Sequence, residues 1–302
     1  MTFKTKMYFS GSMTHPHVVE RLTMTNVHRL FTFAAPKEVH EYLHYCDQHG
    51  RYGQNIMIDS GAFTSWNIGK PVRLPDLIAY DKQVIARYPH HNFTFIALDV
   101  IPGERGRFAT EPEIAKAVEQ SIDNFKVMQQ EFRGHTILPV FHSGEGKWLR
   151  DLYLSMTDHM ALSANQGLSE GMRYQWMRES FVPGVKFHGL AATGNRMLRG
   201  VDWYSVDSSG WLMVAAMGSI LFPVGNGLRP LSVSDTAPTR KQHGKHIENM
   251  NEAPWIREYI WSRGYDPDRL TTDYAARICW NIDQWNSPPW QKDIIPPEGL
   301  FQ

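Results

Sequence analysis

Three aspartates close three separate short apolar runs: Asp59 after Ile56, Asp99 after Phe93, and Asp207 after Tyr204. Strand packing has no use for a carboxylate at the end of a buried run. Any one of them could be a helix N-cap, the ordinary work of Asp in a strand-to-helix loop. Three together point instead to convergence on one face. Carboxylates without a matching set of histidines suit acid–base or nucleophilic work at a sugar carbon better than metal-assisted hydrolysis. In glycosyl chemistry one carboxylate attacks or stabilises an oxocarbenium-like centre while another moves a proton. Such a site splits its carboxylates, one kept ionised and one raised by apolar surroundings.

The elements that must hold these residues are legible as alternation. Eight strand-type runs recur: Met7 to Ser10, Leu30 to Ala34, Ile56 to Asp59, Phe93 to Asp99, Ile137 to His142, His159 to Ser163, Val185 to Leu190 and Tyr204 to Asp207. Their apolar content is mostly continuous, as parallel strands buried on both faces require. Helix-period segments lie between them. The strongest is Thr110 to Phe132, with a stripe of Ile114, Val118, Ile122, Phe125 and Phe132, and with Thr110 and Glu113 at capping-box spacing. Lys37 to Gln48, Leu74 to Tyr88, Lys147 to Met156, Ser169 to Phe181 and Asn195 to Val201 repeat the theme.

The expected fold is therefore α/β, a (β/α)8 TIM barrel over residues 1–225 with a small C-terminal appendage over 226–302. An open doubly wound sheet is the runner-up, and no GxGxxG follows the first strand to support it. In a barrel the active site lies at the carboxyl ends of the strands. Those ends read Ser10-Gly11-Ser12, Asp59-Ser60-Gly61, Asp99, His142-Ser143-Gly144, Ser163, His188-Gly189 and Asp207-Ser208-Ser209. Met13, His15 and His17 follow the first strand and read as a surface loop.

Composition narrows the function. Of 302 residues, 42% are hydrophobic and 21% charged, an ordinary globular balance. Lys+Arg and Asp+Glu both number 31, which argues against a non-specific nucleic-acid coat. The longest apolar run, Trp211 to Val224, is interrupted by Gly218 and Ser219 and falls short of the ~20 residues a bilayer requires. The N-terminus carries no secretory h-region, so the expectation is a cytoplasmic protein, in the host cytoplasm if the source is viral. Two cysteines, Cys46 and Cys279, make neither a disulfide framework nor a metal knuckle.

Three motifs carry a resemblance. MIDSGAF (57–63) is similar to the aspartate-serine-glycine-glycine-phenylalanine motif of the tRNA-guanine transglycosylases. FIALDVIPG (95–103) resembles that family's strand ending in the purine-holding aspartate, and YSVDSSGW (204–211) its eighth-strand nucleophile motif. Order and spacing follow the family over roughly residues 5–225. The family's CxCxxC-plus-His zinc cluster is absent, the chain is shorter than the bacterial tRNA enzymes, and no extra RNA-binding domain is recognisable. These departures direct the resemblance to the DNA-modifying branch, the phage-type 7-deazaguanine DNA transglycosylases (DpdA).

The resemblance implies exchange of guanine in DNA for a free 7-deazaguanine base, with no cofactor required for the chemistry. Asp207 would be the nucleophile at C1′, Asp59 the general base for the incoming base, and Asp99 the acceptor for the purine N1/N2 edge. His142 stands where the family has a base-contacting glutamine; it reads either as a purine contact or as a satisfied barrel-top histidine. Ser163 and Ala164 replace small glycines beside the base, where size or simple packing would explain them. Ser60 and Gly61 belong to the strand-end turn, Phe63 to a stacking wall or to the core, and Gly189 to backbone geometry.

Basic residues gather late: Arg229, Arg240, Lys241 and Lys245 form a candidate phosphate patch, with a solvated loop as the ordinary alternative. His243, His246 and Cys279 occupy roughly the family's zinc stretch but lack an obvious fourth ligand. Five tryptophans, 255, 261, 280, 285 and 290, fall in the appendage, where docking against the barrel is preferred over stacking on unpaired bases. The alternatives to DNA exchange are a tRNA-guanine transglycosylase with the same chemistry and a non-catalytic nucleic-acid-binding subunit. A metal-dependent barrel hydrolase, suggested by His15-Pro16-His17, ranks below both.

Overall fold

Every strand run expected from the sequence is a strand. A computed structural model describes residues 5–25, 27–103, 107, 109–165, 167–224, 227–242 and 245–286. The chain divides into two compact units, Met1–Ser12 with Asn26–Ser208, and Met13–Thr25 with Ser209–Gln302. The segment 1–225 therefore spans the first unit and part of the second.

The first unit holds an all-parallel sheet of nine strands: β1 (Lys6–Ser10), β2 (His28–Thr32), β3 (Asn55–Asp59), β4 (Asn92–Ile96), β5 (Thr136–Leu138), β6 (Val140–His142), β7 (His159–Ser163), β8 (Lys186–Gly189) and β9 (Ser205–Ser208). Their order is β5-β4-β3-β2-β1-β9-β8-β7-β6. The two ends of that order, β5 and β6, are consecutive in sequence and separated only by Pro139. One run, 136–142, thus pairs with β4 through its first half and with β7 through its second. Proline has no N–H to give the ladder, which accounts for the break. Counted as runs, the strands are the eight of a TIM-barrel-like α/β fold.

The helices between them follow the hydrophobic periodicity. Glu111–Glu131 starts at Thr110, whose backbone N–H donates to Glu113 Oε2 at 2.8 Å, one arm of the anticipated capping box. It buries Ala117, Val118, Ser121, Phe125 and Met128. Ile114, placed by periodicity in the core stripe, is instead more than a third exposed, one turn in from the cap. Pro36–Gln48, Leu74–Arg87, Lys147–Leu154, Glu170–Ser180 and Asn195–Gly200 are the other anticipated helices, and Ala62–Asn67 is an additional short one. Inside the sheet, Tyr8, Leu30, Met57, Ile96, Leu138 and Ala161 form one buried cluster.

In the second unit, residues 16–24 are a helix, Pro16–Met24, rather than a surface loop. Pro16 takes the first helical position and Val18, Val19 and Leu22 bury one face. The apolar run 211–224 splits at Gly218, whose φ of +73° suits glycine, into the helix Gly210–Ala216 and the strand β10 (Ser219–Val224). That strand pairs antiparallel with β11 (Gly227–Ser232). Against the hairpin pack Ile256, Ile260, Leu270 and Trp280 from the C-terminal helices. Trp280 donates to Leu221 O at 2.7 Å, and Asn281 bridges Leu221 N–H and Trp211 O. Trp285 is also buried, Trp255 stacks on Tyr259, Trp261 is exposed, and Trp290 lies outside the described residues. Among the described residues, no helix is long and apolar enough to cross a membrane.

Candidate active site

A cavity of about 600 Å³ opens among the strand ends and the loops that follow them. Its polar lining includes Asp59, Asp99, His142, Glu145, Ser163 and Asn165; its apolar walls include Phe63, Trp66, Ile101, Ile114 and Leu190. The volume falls in the ordinary range for small-molecule sites, about 300–1,000 Å³.

Asp59 ends β3 beside Thr32 of β2. One of its oxygens accepts the Gly61 N–H at 2.9 Å, closing a tight turn. Gly61 has φ +73°, and a Cβ there would lie 3.1 Å from the Ala34 nitrogen. Glycine is what lets the chain turn under the carboxylate. Burial pushes the Asp59 carboxyl up to about 7, and the charge of Asp99 and then of Asp207 adds to the rise. The Gly61 N–H and the Thr32 hydroxyl pull the other way. Asp59 thus feels the charges of Asp99 and of Asp207, carried by two other strand ends.

Asp99 sits three residues beyond β4 on a segment tied down at several points. Ala97 N–H continues the ladder to Leu138 O at 2.8 Å, Asn124 holds Leu98 O, and Ser121 takes the Val100 N–H. Its carboxylate meets His142 Nε2 at 3.1 Å. Glu145 holds the same histidine from behind, with an oxygen 3.5 Å from Nδ1 and a hydrogen bond of 2.6 Å from the His142 backbone N–H. Burial works against the imidazolium, but the bonds to Asp99 and Glu145 outweigh it and lift the His142 pKa to about 10. The two carboxylates thus favour the protonated ring, and His142 lines the cavity between them.

Asp207, on β9 opposite Tyr8 of β1, is 7% exposed and lies outside the cavity lining. One oxygen accepts the Ala191 N–H at 2.9 Å. Ser163 lines the cavity, and its backbone carbonyl accepts the Ser143 N–H. Phe63 is 61% exposed on the cavity wall and stacks with Trp66, so it is a wall and not core. Ser60 is buried, is not among the cavity-lining residues, and its hydroxyl has no hydrogen-bond partner among the described residues. Gly189 is a matter of space: a Cβ there would lie 2.6 Å from that of Ala192 and 3.0 Å from the Trp203 ring.

No family model matches this chain, and no curated protein does. Among solved structures, a glycerol uptake operon antiterminator-related protein from Thermotoga maritima is similar at a TM-score of 0.35 and 9% identity, covering 68% of this chain and 95% of that one. So slight a likeness says nothing about function.

The remaining candidates belong to the second unit. Arg229, Lys241 and Lys245 are exposed, whereas Arg240 is engaged by Asp235 and by Glu248 at 3.4 Å. His246 is fully buried with both ring nitrogens occupied: Nε2 lies 3.1 Å from Ser234 O, and Nδ1 accepts from Glu248 N–H. That chemistry does not fit a zinc ligand. Burial pushes the Cys279 thiol up to about 11, and its sulfur faces His17 O at 4.0 Å. His243 lies outside the described residues, among which no group of three or more His, Cys, Asp or Glu is arranged to hold a metal.

Sequence reading missed Glu145 and Arg107. Arg107 lines the cavity and pairs with Glu113, at 2.8 Å through one nitrogen. The run His142-Ser143-Gly144-Glu145 contained the signal, since a carboxylate three residues after a strand-end histidine can fold back onto it.

Proposed function

We propose that the protein is a transglycosylase that exchanges guanine in DNA for a 7-deazaguanine base of the preQ0 type, by double displacement through a covalent Asp207–sugar intermediate. The observation that carries this reading is the reach of both Asp99 and Asp207 to Asp59, whose own pKa is raised to about 7. A carboxyl with a pKa of about 7 is present in both forms at working pH, as a group that both gives and takes a proton must be.

An oxygen lone pair of Asp207 forms a bond to C1′ as the C1′–N9 bond breaks. The released pair leaves on guanine, which takes a proton from Asp59. After the bases exchange, the Asp59 carboxylate removes the N9 proton of the incoming 7-deazaguanine. N9 attacks C1′, and the sugar–oxygen bond breaks to return its pair to Asp207. Two displacements at one carbon retain the anomeric configuration.

Recognition falls to Asp99, held in place by His142. Both N–H groups of the His142 ring are taken, Nε2 by Asp99 and Nδ1 by Glu145, but the Asp99 carboxylate keeps lone pairs for the N1–H and N2–H donors of a guanine-type edge. Adenine has an acceptor at N1 and no donor at C2, so it leaves that carboxylate capacity unmet, an arrangement that rejects strongly. Phe63 supplies a face for stacking. A guanine paired in a duplex must first be flipped out, at about a few kcal/mol. Arg229, Lys241 and Lys245 would meet phosphates, with affinity falling steeply as salt rises.

The test is release of radiolabelled guanine from DNA, beside a tRNA labelled the same way, on addition of unlabelled preQ0. Release from DNA that disappears in Asp207→Ala supports the proposal. Release from tRNA alone moves the same chemistry to RNA. Binding of nucleic acid without release from either would leave a binding subunit and sink the catalytic reading.

A further inference from the structure

We propose that His188 and the backbone N–H of Ala191 form a two-donor clamp on one oxygen of Asp207, leaving the other oxygen to the sugar carbon. The inference rests on Asp207 being the nucleophile. Two independent features of the loop after β8 converge on that oxygen. Ala191 has a φ of +51°, and it is the non-glycine residue with positive φ among the described residues. A side chain rarely accepts that conformation, so the surrounding structure must impose it. Its effect is to aim the Ala191 N–H at Asp207 Oδ1, 2.9 Å away.

The second feature is His188, which is completely buried. Its Nδ1 lies 2.8 Å from the Ser205 hydroxyl, and its Nε2 lies 3.5 Å from the same Asp207 Oδ1 with no hydrogen-bond partner. Buried polar atoms are nearly always satisfied, so an orphan aimed at a carboxylate calls for an explanation. The clamp takes the tautomer in which the Ser205 hydroxyl donates to Nδ1, so that the imidazole proton sits on Nε2, facing Asp207. Edge-on packing of the Tyr8 ring at 5.7 Å fixes the imidazole plane. In the glycosyl-enzyme, one Asp207 oxygen is bonded to C1′ and Oδ1 becomes the ester carbonyl. As the second displacement returns negative charge to the leaving carboxylate, both donors already point at the oxygen that receives it. His188 is thus a positioning residue: it acts through Asp207 and never meets the substrate.

Kinetics of base exchange with His188→Ala, His188→Gln and Ser205→Ala test the clamp. Loss of one preorganised donor lowers kcat about 10²–10³-fold in an oxyanion site. For a contact as long as 3.5 Å, about tenfold to a hundredfold is expected for His188→Ala, with KM for the incoming base nearly unchanged. Gln at 188 returns an N–H near the Nε2 position and should recover most of the rate; Ser205→Ala should lose about threefold. If His188→Ala does not fold, the other two variants decide. Wild-type kcat in these variants, or a change confined to KM, overturns the proposal.

Nitrogen-15 spectra of labelled histidine give a readout that needs no turnover. The clamp requires the proton on Nε2 of His188 and a shift of that signal in Asp207→Asn; a proton on Nδ1 refutes it. Absence of exchange by the wild-type protein on any nucleic acid would instead refute the transglycosylase reading, and the spectra would still decide the clamp.

Discussion

The pKa values of Asp59 and His142 are both raised but from opposite causes, and each sets a measurable pH dependence. Asp59 is lifted to about 7 chiefly by burial, so a step that needs its carboxylate gains rate as pH rises through about 7. We expect kcat/KM for the incoming base to show that ascending limb, and Asp59→Asn to lose it together with about 10²–10⁴ in rate. His142 is held protonated by Asp99 and Glu145 against burial. Removing one of its partners in Glu145→Gln should lower the His142 pKa from about 10, read directly by an NMR titration of the ring. An unchanged titration would mean that Glu145 contributes nothing electrostatic. The aspartates were legible in the sequence because a charged residue at the end of a buried run is conspicuous. Glu145 was not, because its role depends on a loop folding back. Ala191 was invisible because its contribution is a backbone angle, and His188 because only burial reveals its orphan nitrogen.

At the scale of elements, the barrel was readable because parallel strands buried on both faces write continuous apolar runs. The break at Pro139 was not read, although the proline itself was in plain view inside ILPVF. The helix Pro16–Met24 stands where Met13, His15 and His17 read as a surface loop; Val18, Val19 and Leu22 hold its amphipathic signal. Ile114 shows the limit of periodicity: it lies on the apolar stripe of Glu111–Glu131 yet faces the cavity. Two substitutions test the local arguments. Thr110→Ala, which removes the hydroxyl that donates to Glu113 Oε2 at 2.9 Å, should cost about 1 kcal/mol, measured by urea unfolding. Gly189→Ala should cost about 1–3 kcal/mol, because the new methyl meets the Ala192 side chain at 2.6 Å and the Trp203 ring at 3.0 Å. A neutral result there would show that the loop after β8 relaxes easily.

For the molecule as a whole, buried titratable groups predict an uneven pH–stability curve. Asp59 and Asp81 are raised, to about 7 and about 8, both mainly by burial. The fold keeps their protons where the unfolded chain has lost them, so each removes stability as pH rises from about 4 to its folded value. His28 and His159 are lowered by burial, to about 4 and about 3, so each adds stability as pH rises to about 6.5. Between about 4 and 6.5 the two pairs oppose one another. Above 6.5 the carboxyls and His142 remain, joined from about 9 by the Cys46 and Cys279 thiols, which burial raises to about 12 and about 11. His142, raised to about 10, loses its contribution as pH climbs toward that value, and the thiols act in the same direction. Thermal unfolding should therefore give a Tm that is nearly flat from pH 4 to 6.5 and falls from 6.5 to 10. Asp81→Asn should flatten the part of the fall below about pH 8. A Tm rising through that interval would contradict the assignment of these groups.

The proposed function turns on a covalent bond between Asp207 and a deoxyribose carbon. The most direct measurement is mass spectrometry of the protein after rapid denaturing quench of a reaction with guanine-containing DNA. The expected result is a protein–DNA adduct that maps to the peptide carrying Asp207, is absent in Asp207→Ala, and decays when preQ0 is added before the quench. Base exchange proceeding at full rate in Asp207→Ala, or an adduct on another residue, would contradict it.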